Sequence, residues 1–366
     1  MQSLLLSLLK LKMFSLFANL AEGVTHPPEM NQSVLCSILC LCVNVSIGDD
    51  VILKPLKQGQ PQVGMVFIQG AQVKPEQYIP LATAIQNANN YSLWIGIPEF
   101  TFDIPEPIEI SEEVERIIKS LQVAGMNTTS IFFASHSMGG IILQNYLHDN
   151  PKMGFAQVLL GSYILRKYRN ETYPVPTLTI GGELDGLSRV ARIMEAYYHS
   201  VLHAQSREEA IKNFPVTLIE GMSHMEFASG DPPSFIRDRD LRPEITYEQA
   251  HQAVATLVTA FFEFHLGQAS FLSIISTAVE NTGLFMAPIV TAFEVEGYHN
   301  FKPPCNDDPP SEACTVGSKW SEYAQVVMGA LKEAVVNDSD AFHLVQDILS
   351  THHPRIMNSC PSPTKG

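Results

Sequence analysis

The segment Ser135-His136-Ser137-Met138-Gly139-Gly140 sets a serine directly after the apolar run IFFA and before the helix-forming run IILQNYL. A serine on a sharp strand-to-helix turn needs very small side chains two places to either side, and Ser135 and Gly139 supply them. Such a turn exposes the hydroxyl and aims a helix N-terminus at it, so the Met138 N–H can hold a developing oxyanion. A serine hydroxyl is a weak nucleophile; it needs a base to take its proton and an acid to orient that base. Both follow downstream, each after a β-rich run: Asp185 in Gly181-Gly182-Glu183-Leu184-Asp185-Gly186, and His224 in Gly221-Met222-Ser223-His224. The chemistry predicted is acyl transfer through Ser137, with His224 carrying protons and Asp185 orienting the imidazole. Glu183 is a competing acid, but Gly182 and Gly186 permit the tight loop that turns the short Asp185 carboxylate toward an imidazole.

Each residue also has a plainer reading. Ser137 could cap an ordinary helix, and Asp185 could cap the helix expected over Ser188–His203. His148, His199, His251 and His265 sit in helical patterns that suit packing or surface positions, and His136 flanks the serine at a place expected to point elsewhere. A second oxyanion donor is expected from the small-residue loop Gln69-Gly70-Ala71-Gln72, as the N–H of Ala71 or of Gln72.

These residues need elements to hold them. Apolar, β-branched runs at Gly64–Gln69, Ser92–Ile97, Ser130–Ala134, Ala156–Leu160, Thr177–Ile180 and Val216–Glu220 read as strands. Helical patterns lie between or after them at Glu76–Asn89, Ser111–Ala124, Met138–His148, Ser188–His203 and Tyr247–His265. That alternation predicts an α/β fold, a mostly parallel sheet with helices on both faces, whose ligand crevice lies at the carboxyl ends of the strands. Pro75 opens the first helix, and Pro80 within it predicts a late start or a kink.

With these motifs in place, residues 60–230 resemble the dienelactone-hydrolase-like branch of the α/β-hydrolases. The resemblance rests on QGAQVKPEQYIPLA, SHSMGG, Gly182-Glu183-Leu184-Asp185 and Gly221-Met222-Ser223-His224, with Phe227 after the histidine. It implies an α/β-hydrolase fold and a serine esterase or related acyl hydrolase with no metal or organic cofactor. Ser135 stands where the elbow usually has glycine, and Gln69 replaces the histidine often found before the oxyanion glycine.

Composition limits the partners. The 366 residues carry 23 Lys and Arg against 38 Asp and Glu, a formal charge of −15, with no basic stripe to bind nucleic acid. A small-molecule or lipid-like ester is the partner expected. No Cys or His spacing resembles a zinc site.

Residues 1–48 are expected to act as an address. The run VLCSILCLCVNV after Met30, followed by Ser46-Ile47-Gly48, has the form of a cleaved export signal, with a retained apolar arm as the alternative. A secreted chain starting near Asp49 would keep no transmembrane anchor. Acceptor sequons at Asn90, Asn127, Asn170 and Asn337 suit a secretory lumen. Cys305 and Cys314, bracketing a proline-containing turn, are expected to pair; Cys314 with Cys360 is the alternative.

Three parts follow: the signal at 1–48, a hydrolase domain at 49–266, and a carboxyl-terminal extension at 267–366. Too few residues separate Leu160 from Thr177 for a large cap domain. The apolar runs ASFLSIISTAV and GLFMAPIVTAF in the extension are expected to pack on the hydrolase domain, or else to cover its active site. The predicted function is a secreted serine hydrolase of esters; a secreted acidic binding or matrix protein that keeps the fold without turnover is the other reading.

Overall fold

The computed structural model describes residues 50–168, 173–202, 204–287, 289 and 290. The chain divides into Met1–Ile47 and Gly48–Gly366, and every described residue belongs to the second unit. The signal segment, Asn170, Asn337, the Cys305–Cys314 pair, Cys360 and the extension past residue 290 lie outside the described residues.

Seven strands form one sheet: β1 (Val51–Leu53), β2 (Gln62–Ile68), β3 (Ser92–Ile97), β4 (Ile131–His136), β5 (Gln157–Leu160), β6 (Thr177–Gly182) and β7 (Val216–Ile219). Their order is β1-β3-β2-β4-β5-β6-β7. Every neighbouring pair is parallel except β1 with β3, where Val51 faces Ile97 and Leu53 faces Ile95. Sequence patterning gave the six parallel strands and missed β1. Three half-buried residues at a sheet edge leave no alternation long enough to read.

Helices cover both faces: α1 (Ile79–Ala88), α2 (Ile110–Ala124), α3 (Met138–Asp149), α4 (Val190–Tyr197), α5 (Arg207–Asn213), α6 (Ser234–Arg237), α7 (Tyr247–His265) and α8 (Leu272–Phe285). Alternate strand residues feed two cores, as burial on both faces requires. Met65, Phe67, Phe132 and Ala134 pack with α1, α4, α7 and α8, whereas Val66, Ile68 and Phe133 pack with α2 and α3. Phe132 stacks on Phe262 of α7 with ring centroids 4.0 Å apart, tying the strand that runs into Ser137 to the longest of the described helices. Burying each such side chain contributes roughly 1.5–3 kcal/mol.

Helix ends follow local chemistry. In α7 the Thr246 hydroxyl accepts from the Gln249 N–H and the Gln249 side chain accepts from the Thr246 N–H, a reciprocal cap. A 3₁₀ turn at Pro75–Tyr78 precedes α1, so Pro80 falls in the first turn of the α-helix, where its missing N–H costs nothing. Ser111 does not cap α2; the helix begins at Ile110, with Glu112 and Glu113 in its first turn. The single helix expected over Ser188–His203 is instead α4 followed by a wider π turn at Tyr198–Leu202.

The first α-helix beyond residue 266 is built into the main core. Ile275 and Val279 of α8, with Met286 and Ile289 after it, are buried in the cluster that also holds α4 and α7. Among the described residues no helix is long and apolar enough to cross a membrane.

Candidate active site

Between the end of β4 and the start of α3 stands a single residue, Ser137, with φ 53° and ψ −123°. A side chain held in that sparsely populated region costs on the order of 1–3 kcal/mol, so the surroundings must enforce it. Gly139 is part of that enforcement: a Cβ there would lie 2.8 Å from the Ile68 carbonyl oxygen and closer still to that of Gln69. Ser135, where a glycine is usual, is tolerated because its buried hydroxyl donates to the Val158 carbonyl at 3.4 Å. Although Ser137 is the N-cap residue of α3, its side chain makes no capping bond, which removes the plain capping role.

Backbone pairing brings the other two residues to the same edge. The Ser137 N–H donates to Leu160 O at 3.0 Å, and Gly161 follows at the tip of β5. A Cβ on Gly161 would lie 3.1 Å from His224 Nδ1 and 3.2 Å from Asp185 Oδ2. These last two atoms are 2.7 Å apart, and both side chains are fully buried. Nδ1–H therefore donates to the carboxylate, and Nε2 carries the free lone pair; it has no hydrogen-bond partner among the described residues.

Asp185 serves its loop with one oxygen and the imidazole with the other. Oδ1 accepts from the Leu187 N–H at 2.8 Å and the Ser188 N–H at 2.6 Å. Glu183 does other work: its carboxylate accepts from the Gly221 N–H at 2.9 Å and so holds the turn after β7.

Burial pulls the His224 imidazole toward its neutral form, but the Asp185 charge and hydrogen bond, with Asp240 and Glu226 beyond, outweigh it and raise the group above the usual 6.5.

In the loop after β2, the Gln72 N–H is committed to Asp103 O at 2.6 Å and the Gly70 N–H to the Tyr78 hydroxyl at 2.8 Å. The Ala71 N–H meets no acceptor among the described residues, which favours Ala71 over Gln72 as a donor. Met138 is the first residue of α3, where no intrahelical acceptor exists for its N–H. The arrangement can do what a serine nucleophile needs: a half-buried hydroxyl, an oriented imidazole and two backbone donors gathered at one sheet edge.

Sequence reading missed three participants. Asp240 accepts from the N–H groups of Gly186 and His224, each at 3.0 Å, and from the Ser223 hydroxyl at 2.8 Å, joining the two loops that carry Asp185 and His224. It sits in the charged run RDRDLRPE, where nothing local marks one carboxylate out. Tyr78 and His136 are fully buried beside the site, and His136 does not point elsewhere: its ring centroid is 4.5 Å from that of His224. Among the described residues no group of three or more His, Cys, Asp or Glu is placed to hold a metal ion.

Residues 64–235 match the model of the alpha/beta hydrolase family. The fold is that of the α/β-hydrolases. The match is at the level of the superfamily and singles out no branch of it. The chain is also similar to solved structures at low identity. Est1E from Butyrivibrio proteoclasticus is 13% identical with a TM-score of 0.39, over 60% of this chain and 94% of that one. A predicted CIB-like hydrolase from Thermoplasma acidophilum is 12% identical with a TM-score of 0.38, over 57% and 92%. A putative lipase from Acinetobacter baumannii is 14% identical with a TM-score of 0.37, over 66% and 99%. A search of curated proteins found no match.

Proposed function

We propose that this protein is a serine esterase that works through an acyl-enzyme. The observation that carries the reading is the buried 2.7 Å contact between Asp185 and His224, which leaves Nε2 unengaged at the edge where Ser137 stands on its strained turn. Ser137 Oγ attacks the ester carbonyl as its proton passes to His224 Nε2, and the oxyanion is held by the Met138 and Ala71 N–H groups. Collapse of the tetrahedral adduct breaks the C–O bond, and the alcohol leaves with the proton from His224. Water then adds to the acyl-serine, giving its proton to His224. The second adduct releases the carboxylic acid as Ser137 recovers its hydrogen.

A fluorophosphonate probe on the full chain tests this. The adduct is expected on Ser137 by peptide mass mapping, together with hydrolysis of short-chain nitrophenyl esters. Since only neutral His224 accepts a proton and its pKa is raised, kcat should climb with pH through a midpoint above 6.5. Absence of both labelling and turnover would discard the esterase in favour of a binding protein.

Export belongs to the same proposal. It is supported by the apolar run after Met30 and by the exposure of Asn90 and Asn127. Protein recovered from the medium of eukaryotic cells should begin near Asp49; residues 1–48 retained on cytosolic protein would end that part of it.

A further inference from the structure

Three buried hydrogen bonds cross beneath the site. The Gly70 N–H donates to the Tyr78 hydroxyl at 2.8 Å, that hydroxyl stands 2.9 Å from His136 Nδ1, and His136 Nε2 stands 3.2 Å from the backbone carbonyl oxygen of His224. Both ends are backbone groups that cannot exchange roles, since an N–H only donates and a carbonyl only accepts. The direction is therefore fixed throughout. Tyr78 has one hydrogen and gives it to Nδ1, so the proton of His136 sits on Nε2 and is donated to His224 O.

The chain links parts of the fold that are distant in sequence: the loop bearing the Ala71 N–H, the strand that delivers Ser137, and the segment that carries His224. Tyr78 and His136 are 0% exposed, so water does not compete for these bonds. Gly70 lies where the parts meet; a Cβ on it would be 2.9 Å from His136 Nδ1, 3.2 Å from the Tyr78 oxygen and 3.3 Å from Ser137 Cβ. Phe67 and Phe227 pack against the two rings, with centroids 4.7 Å from Tyr78 and 5.6 Å from His136 respectively.

We propose that Tyr78 and His136 are positioning residues that fix the oxyanion loop relative to the His224 imidazole, a role that rests on the esterase reading above. Neither touches the reacting atoms; they act through Gly70 and through the backbone of His224. Burial and the neighbouring His224 keep His136 neutral, as its donor–acceptor arrangement requires.

The test compares Tyr78→Phe, His136→Leu and His136→Gln in the full chain. Tyr78→Phe keeps the ring and strands the Gly70 N–H and His136 Nδ1. It should lower kcat ~10- to 100-fold, less than outright loss of an oxyanion donor, with KM within about twofold. His136→Leu removes both contacts and should do the same. His136→Gln retains an acceptor toward Tyr78 and a donor toward His224 O, and should recover most of the rate. A merely structural role would move the melting temperatures and leave kcat of the folded variants alone.

Nitrogen-15 NMR of the imidazoles reads the chain without reference to activity: His136 should carry its proton on Nε2 and stay neutral while His224 titrates. An active parent with Tyr78→Phe and His136→Leu at the parental kcat would overturn the positioning role alone, as would a His136 protonated on Nδ1. A parent that neither labels nor turns over would overturn the esterase, and the positioning role with it.

Discussion

Ser137→Ala is expected to abolish fluorophosphonate labelling and to cut ester turnover by about a millionfold, the loss seen when a triad nucleophile is removed. The fold should not suffer. The hydroxyl makes no capping bond, and alanine tolerates φ 53° no better and no worse than serine does. A melting temperature within a few degrees of the parent, measured beside nitrophenyl ester hydrolysis, separates loss of chemistry from loss of structure. Hydrolysis at the parental rate would show that another group is the nucleophile.

Asp185→Asn should cost kcat on the order of 10⁴-fold, because an amide NH₂ facing Nδ1 disfavours the tautomer that leaves Nε2 free to accept. The loop should survive, since the asparagine Oδ1 can still accept from the Leu187 and Ser188 N–H groups. Glu183→Gln is the control. Its side-chain oxygen can still accept from the Gly221 N–H, and it should keep kcat within a few-fold while lowering stability by about 1 kcal/mol. If Glu183→Gln were the variant that lost the 10⁴-fold, the orienting acid would be Glu183.

Much of this site was legible because its signals are local. A serine between Ser135 and Gly139, after a strand and before a helix, needs no knowledge of distant residues. The positions of Asp185 and His224 follow from the strands before them, and α7 was bounded correctly at both ends. The rest depends on partners far along the chain. Tyr78 looks like one more apolar helix residue until His136 arrives 58 positions later, and Asp240 gains meaning only beside Gly186, 54 positions earlier. The choice between Ala71 and Gln72 turned on Asp103, at the end of a three-residue 3₁₀ turn too short for any periodicity to mark. The apolar runs of α8 and their packing on the hydrolase domain were visible in the sequence; which of its elements receive them, α4, α7 and β7, was not.

That packing bears on self-association. An outer strand presents unpaired N–H groups that can recruit a strand from another molecule. At β7 the Thr282 hydroxyl of α8 accepts from the Leu218 N–H at 2.9 Å and donates to Ala278 O at 2.9 Å, so a helix occupies the place a foreign strand would take. At the opposite end β1 offers three residues, too short a template for a durable intermolecular ladder. Among the described residues both ends of the sheet are thus guarded against strand swapping and fibril growth, one by a helix and one by brevity.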